Sequence, residues 1–251
     1  QNLPGRSDPP DRPREGRIAP AHITPPAAEL AQAVDLLQRS KKPVIIAGHG
    51  ARDHRAAIIA LAEHLDAPLI TTFKAKGLVA DSHPLAGGVL GRSGTPVASA
   101  LMGQSDTLLV LGASFSNHTG ISAKKPTIQV DFDRMALGRF HPVDVPLWGE
   151  IGTTVTAILS SLDATSRPDI REQISQRWER WRLETRRRAG MRDDRNRMHP
   201  AAVFTTMSEL VADDAVIAVG VGNNTYAFGH YFESGSHQDV LMSGYLGSIG
   251  F

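Results

Sequence analysis

Short, almost unbroken apolar runs alternate with helical patterns over residues 27–163, and this alternation limits the fold more than any other feature. "PVIIAGHG" at 43–50, "APLITTF" at 67–73, "DTLLVLGAS" at 106–114 and "PTIQVDFD" at 126–133 read as strands, and "VPLWG" at 145–149 as a shorter fifth. Around them, "AAELAQAVDLLQRS" at 27–40, "HRAAIIALAEHL" at 54–65, "PVASALMGQS" at 96–105 and "TTVTAILSSL" at 153–162 read as helices. A strand with one wet face alternates apolar and polar residues. A strand that is apolar throughout is covered on both faces, as in a parallel sheet with crossover helices. Residues 27–163 are therefore expected to form an α/β domain, a doubly wound parallel sheet.

The flanks follow other rules. Residues 1–26 hold seven prolines and little apolar periodicity, which fits a linker, an extended arm or a tail without a role. Residues 164–198 place Ile170, Ile174, Trp178 and Trp181 on one helical stripe and hold eleven arginines among six acidic residues. That mixture reads as a helical linker with solvated arginines rather than a nucleic-acid surface. From His199 the strand–helix alternation restarts: "HPAAVFTTMSELVAD" is a helix, "DAVIAVGVGNN" a strand entering a turn, "TYAFGHYF" helical and "DVLMSG" a strand. Residues 199–251 thus begin a second α/β domain with two strands, too few for an independent sheet. The first residue, Gln1, and the closing "VLMSGYLGSIGF" at 240–251 both read as cuts in a longer chain.

Composition removes several classes of function. No cysteine is present, so disulfides, thiolate metal sites and cysteine nucleophiles are excluded; that absence does not fix the compartment but is compatible with the cytoplasmic location expected. The formal charge of +1 calls for no polyanionic partner, and no apolar run nears the roughly 18 residues of a membrane span. The ten histidines lack paired ligand spacing, so no metal site is expected. Ser122-Ala-Lys-Lys125 matches S-x-x-K only formally, because Ser122 lies in a loop.

In an open α/β sheet the carboxyl ends of the strands line one crevice. Gly48 and Gly50 stand there, where backbone N–H groups meet a pyrophosphate in nucleotide-binding domains, although a plain tight turn explains them equally. The glycine-rich stretches at 89–95 and 110–120 and the acids Asp131 and Asp133 join the same crevice, with His49, His83 and His118 in nearby loops. "GVGNNTYAFG" at 220–229 offers consecutive N–H groups after a strand, either an anion cradle or a turn that binds nothing.

Four stretches, "KKPVIIAGHGA", "APLITTFKAKGLVADSHPLAGGVLGRSGT", "SDTLLVLGASFSNHTG" and "IQVDFDRMALGR", make residues 27–163 resemble the central domain of the thiamine-diphosphate-dependent 2-oxoacid enzymes. This is the group of acetolactate synthase and pyruvate oxidase. "AVIAVGVGNNTYAFGHYF" and "VLMSGYLGSIGF" make residues 199–251 resemble the start of its pyrophosphate-binding domain. The resemblance implies that Gly222, Asn223 and Asn224 touch the cofactor diphosphate. It also implies that Gly247, Ser248 and Ile249 lie against the aminopyrimidine, with Ile249 as the wedge that bends the cofactor. A β-branched side chain makes a stiff wedge, and glycine permits close approach.

Magnesium is implied too, held by a Gly-Asp-Gly…Asn segment expected beyond Phe251, and the activating glutamate by a domain expected before Gln1. No catalytic residue is expected within the chain, which alone is expected to be inactive. The central domain of such enzymes takes FAD, ADP or nothing, and contacts to FAD or ADP fall here at Gly48, Gly50, Thr72, Gly91 and Asp131. The arginine-bearing "GARFDDR" of the family reads Gly112-Ala-Ser-Phe-Ser-Asn-His118, with neither arginine kept. The implied activity is decarboxylation or carboligation of a 2-oxoacid such as pyruvate, in a homodimer or homotetramer. The rival expectation is a stand-alone nucleotide-binding or regulatory module built on residues 27–163.

Overall fold

The computed structural model describes residues 22–164 and 167–242. In chain order the central unit contains α1 (Ala27–Arg39), β1 (Pro43–Ala47), α2 (Arg55–His64), β2 (Leu69–Thr71) and β3 (Ala86–Val89), followed by α3 (Pro96–Gln104), β4 (Thr107–Leu111), β5 (Thr127–Asp131), β6 (Val145–Trp148) and α4 (Ile151–Ser161). All six strands are parallel, in the order β3-β2-β1-β4-β5-β6. α1, α2 and α4 pack together, and α3 packs with the next helix, α5 (Arg171–Ala189). Right-handed crossovers that travel in opposite directions from the middle of the sheet place these two groups on opposite faces. Hence every residue of the two middle strands, β1 and β4, is buried. The doubly wound parallel sheet expected from the apolar runs is the one found.

β3 has no counterpart in the sequence reading, which passes over it as a glycine-rich connection. Ala86-Gly87-Gly88-Val89 has neither β-branched density nor alternation, and glycine weakens a strand interior. Packing explains the strand: a Cβ on Gly87 would overlap Ile70 and Leu101, so only glycine lets β3 approach β2 beneath α3. Gly88, at φ +79°, lies beside the ring of Trp178.

α5 is more than a linker. Ile174 and Trp178 are buried in the same core as the central sheet, and Trp178 Nε1 donates to the Ala86 carbonyl at 2.7 Å. Many of its neighbouring arginines are engaged rather than solvated. Arg167 donates to the carbonyls of Leu37, Ser40 and Leu65, at the ends of α1 and α2. Arg171 meets Asp66 at 2.6 Å, and Arg182 meets Glu233 at 2.7 Å.

The remaining elements are α6 (Pro200–Leu210), β7 (Val216–Val219), α7 (Asn223–Tyr231) and β8 (Asp239–Met242). β7 and β8 form a two-stranded parallel sheet, with Val216 opposite Asp239 and Val219 opposite Met242. Ile217, Phe228, Phe232 and Val240 form its small core, in which the rings of Phe228 and Phe232 stack at 4.6 Å. Two strands gain stability only when packed against other elements, and here the central unit supplies the support. Gly229 fits against the Ser93 carbonyl, and His230 Nδ1 donates to the Gly94 carbonyl at 2.5 Å. Burial pushes the His230 imidazole below its ordinary range. Lys76 and Asp81, both buried, pair at 3.0 Å, and Asp81 also accepts from the N–H and hydroxyl of Ser234.

Because Trp178 belongs to the core and bonds the edge strand, Trp178→Ala is expected to cost about 3–5 kcal/mol. Urea unfolding of the chain measures it, and a loss below about 1 kcal/mol would be that of a surface helix.

Candidate functional site

At the carboxyl edge of the central sheet, the order in which the strands are connected reverses between β1 and β4. β1 leads toward β2 and β3, and β4 toward β5 and β6. Loops leaving the two middle strands therefore diverge and open the crevice where ligands bind in such sheets. The structure brings Gly48, Gly50, Thr72, Gly91 and Asp131 to this edge, each following or ending a strand.

What the glycines do there differs from the sequence expectation. The Gly48 N–H donates to the Leu111 carbonyl at 2.8 Å and the Gly50 N–H to the Gly112 carbonyl at 3.0 Å. Neither amide is left for a pyrophosphate. A Cβ on Gly48 would overlap the backbone of Gly112 and Ala113, so this glycine serves the close crossing of two loops. Gly91, at φ +98°, packs in the same way against the carbonyls of His118 and Thr119. Thr72 is buried, and its N–H donates to the Ala47 carbonyl at 2.9 Å.

Asp131 ends β5 half-buried, with Oδ1 accepting from the Asp133 N–H at 2.9 Å. Burial raises its carboxyl above the ordinary carboxylate range, and the Asp133 N–H works against that rise. His49 and His118 lie at this edge. His83 precedes β3 and reaches Glu63 near the end of α2, which puts it at the opposite, amino edge.

Beside the crevice is an open cavity of about 770 Å³ that the sequence reading missed. It is lined by His22, Gly50, Asp53, His54, Phe132 and Glu150, among others. Glu150 caps α4 by accepting from the N–H groups of Gly152 at 2.8 Å and Thr153 at 2.6 Å. It also meets His54 Nε2 at 2.6 Å. Burial alone would raise the Glu150 carboxyl, but the bonds from Thr153 and Gly152 and the adjacent His54 outweigh it and hold the carboxyl below its usual value. The available signal was Glu150 just ahead of the helical pattern at 153–162, close to an N-terminal capping position.

The second cluster is the start of α7. Gly222 precedes it at φ +155°, with no side-chain cap. A Cβ there would meet nothing within 4 Å, so no packing within the described residues demands glycine. Asn223 and Asn224 are exposed, and Thr225 ties the turn by donating to the Gly220 carbonyl at 2.6 Å. The first N–H groups of a helix have no intrahelical acceptor and carry its positive pole. An open, glycine-entered helix start with two amide side chains fits a diphosphate. Gly247, Ser248 and Ile249 lie outside the described residues. The strand that leads toward them, β8, ends beside the end of β7. Among the described residues no group of three or more acidic or histidine side chains is placed to hold a metal ion, and no helix is long and apolar enough to cross a membrane.

The family described as "Thiamine pyrophosphate enzyme, central domain" matches residues 30–158, more than half of the chain. The chain belongs to the thiamine pyrophosphate enzymes. It is 27% identical over 229 residues to the "Putative thiamine pyrophosphate-containing protein YdaP" of Bacillus subtilis, covering 91% of this chain and 40% of that one. To the "Probable acetolactate synthase large subunit" of Methanococcus aeolicus it is 29% identical, covering 89% of this chain and 40% of that protein. To the "Sulfoacetaldehyde acetyltransferase" of Rhodobacter capsulatus it is 28% identical, covering 90% and 43%. The chain thus spans about two-fifths of the relatives it matches.

Because the Glu150 carboxyl is depressed in the folded chain, its contribution to stability is present above the free value of 4.5 and is lost as pH falls below it. Glu150→Ala is expected to cost about 1 kcal/mol at neutral pH. The difference from wild type should shrink as pH drops through that value, read by urea unfolding in a pH series; a pH-independent difference would remove the charged cap.

Proposed function

We propose that the chain is the central and cofactor-entry portion of a thiamine-diphosphate-dependent decarboxylase or carboligase acting on a 2-oxoacid such as pyruvate. One observation carries this reading. β7 and β8 run parallel and end side by side, Val219 opposite Met242, so the Gly222–Asn224 turn follows the same sheet edge at which β8 ends. Gly222, Asn223 and Asn224 then hold the diphosphate through the open N–H groups that begin α7 and through the side-chain amides of Asn223 and Asn224. Gly247, Ser248 and Ile249 hold the aminopyrimidine, with Ile249 as the wedge. Thiamine diphosphate supplies an electron sink for the carbon that remains when a 2-oxoacid loses carbon dioxide. Magnesium belongs with the diphosphate, its ligands contributed from outside residues 1–251. The whole protein is placed in the cytoplasm as a homodimer or homotetramer.

The acetolactate synthase relatives favour pyruvate chemistry. The sulfoacetaldehyde acetyltransferase relative shows that proteins equally similar to this chain bear the name of another reaction. A second reading, nucleotide binding by the central unit, is favoured by the open cavity between Gly50, Phe132 and Glu150. FAD or ADP would lie along Gly48, Gly50, Thr72, Gly91 and Asp131. Since the Gly48 and Gly50 amides are already bonded, its diphosphate would find donors elsewhere on this edge.

The test is made on the whole protein. Asn223→Ala is expected to weaken thiamine diphosphate binding about tenfold, the loss of one charge-assisted hydrogen bond. Ile249→Gly is expected to lower kcat for pyruvate decarboxylation about 100-fold through misplacement of the cofactor ring. Unchanged affinity and turnover in the double variant would overturn the site. Calorimetric titration of residues 1–251 with FAD and ADP separates the readings: tight nucleotide binding without any thiamine diphosphate binding by the whole protein would favour the stand-alone module.

A further inference from the structure

We propose that Arg52 is a positioning residue for the cofactor-binding edge of the second sheet, acting through the carbonyl of Val240. The inference rests on the functional reading above. Arg52 belongs to the turn that follows β1 in the central unit, yet its Nη1 donates at 2.7 Å to the carbonyl of Val240 in β8. The same nitrogen reaches the carbonyls of Lys74 at 3.1 Å and Lys76 at 3.4 Å. Its side chain is only 16% exposed, and its carboxylate neighbour, Asp239, is 4.0 Å away. A mostly buried guanidinium is thus balanced chiefly by carbonyl dipoles of two chain segments that it draws together. Arg55 repeats the arrangement one turn on, donating to Ser236 at 2.6 Å and Gly77 at 2.7 Å. Gly77, at φ +86°, packs directly on Val240 and leaves the room for this contact.

Such a clamp matters because, among the described residues, β8 has only one strand neighbour, β7. A two-stranded sheet does not fix its own position, so the placement of β8 is set from outside. Val240 pairs with Ile217, two residues before the Val219–Met242 pair that ends the sheet. A shift of Val240 therefore moves the end of β8, at Met242, relative to the Gly222 turn. Arginine is suited to such a clamp, because its charge does not titrate in the working range and its planar fork serves several acceptors at fixed angles.

Losing the clamp lowers the population of the binding-competent arrangement without altering that arrangement, so apparent cofactor affinity falls while the bound state is unchanged. In the whole protein, Arg52→Ala is expected to weaken thiamine diphosphate binding about tenfold, with kcat at saturating cofactor within about twofold of wild type. Arg52→Lys, which keeps the charge on a single ammonium, is expected to fall between the two. Binding is read by fluorescence titration and folding by circular dichroism. Wild-type affinity in Arg52→Ala overturns the proposal, as does a loss of kcat that saturating cofactor does not restore. If Arg52→Ala fails to fold, Arg52→Lys decides: weakened binding with preserved kcat supports the clamp, and wild-type affinity overturns it. A wild-type protein that binds no thiamine diphosphate removes the functional reading itself and the clamp with it, a result distinct from any variant effect.

Discussion

The buried pair of Lys76 and Asp81 joins the two parts of the structure. One carboxylate oxygen of Asp81 takes three donors: Lys76 Nζ at 3.0 Å, the Ser234 N–H at 2.8 Å and the Ser234 hydroxyl at 3.1 Å. All three residues are less than one-tenth exposed. Desolvating two charges consumes much of what their attraction returns, so such a pair says little about total stability. It does constrain arrangement. With Ser234 displaced, the buried Asp81 carboxylate oxygen would lose two of its three donors, which is costly. The segment after α7 is thereby pinned to the central unit, and β8 begins only a few residues later.

From that pin the rest follows geometrically. Arg52 and Arg55 hold the chain on either side of Asp239 against the loop after β2. Gly229 and His230 seat α7 on the loop after β3. The start of α7 is left open while its far end is locked, which is the disposition a cofactor-binding helix needs: free N–H groups on a rigid element. The central sheet thus acts as a platform that fixes where the second sheet presents its carboxyl edge.

Much of the fold was legible because a parallel sheet leaves a strong compositional mark. β1 and β4 are apolar nearly throughout and stand out without any alignment. β3 was not legible, since its glycines are chosen by contact with Ile70 and Leu101, neighbours distant in sequence. The same holds for α5 and the segment before it: their arginines look solvated in one dimension, but in three Arg167 meets carbonyls and Arg171 and Arg182 meet acids. The glycines carried an ambiguous message: Gly48 and Gly91 permit backbone crossings within the protein, whereas Gly222 has no neighbour among the described residues that demands glycine. Only the folded chain separates these two reasons for glycine. Ile249 stands on family resemblance alone.

The most direct measurement is a crystal structure of the whole protein with thiamine diphosphate and magnesium. Diphosphate oxygens accepting from the backbone N–H groups of Asn223 and Asn224, with the ring system resting on Ile249, is the result predicted. Cofactor bound away from the first turn of α7, or that turn covered by other parts of the protein, would contradict the account.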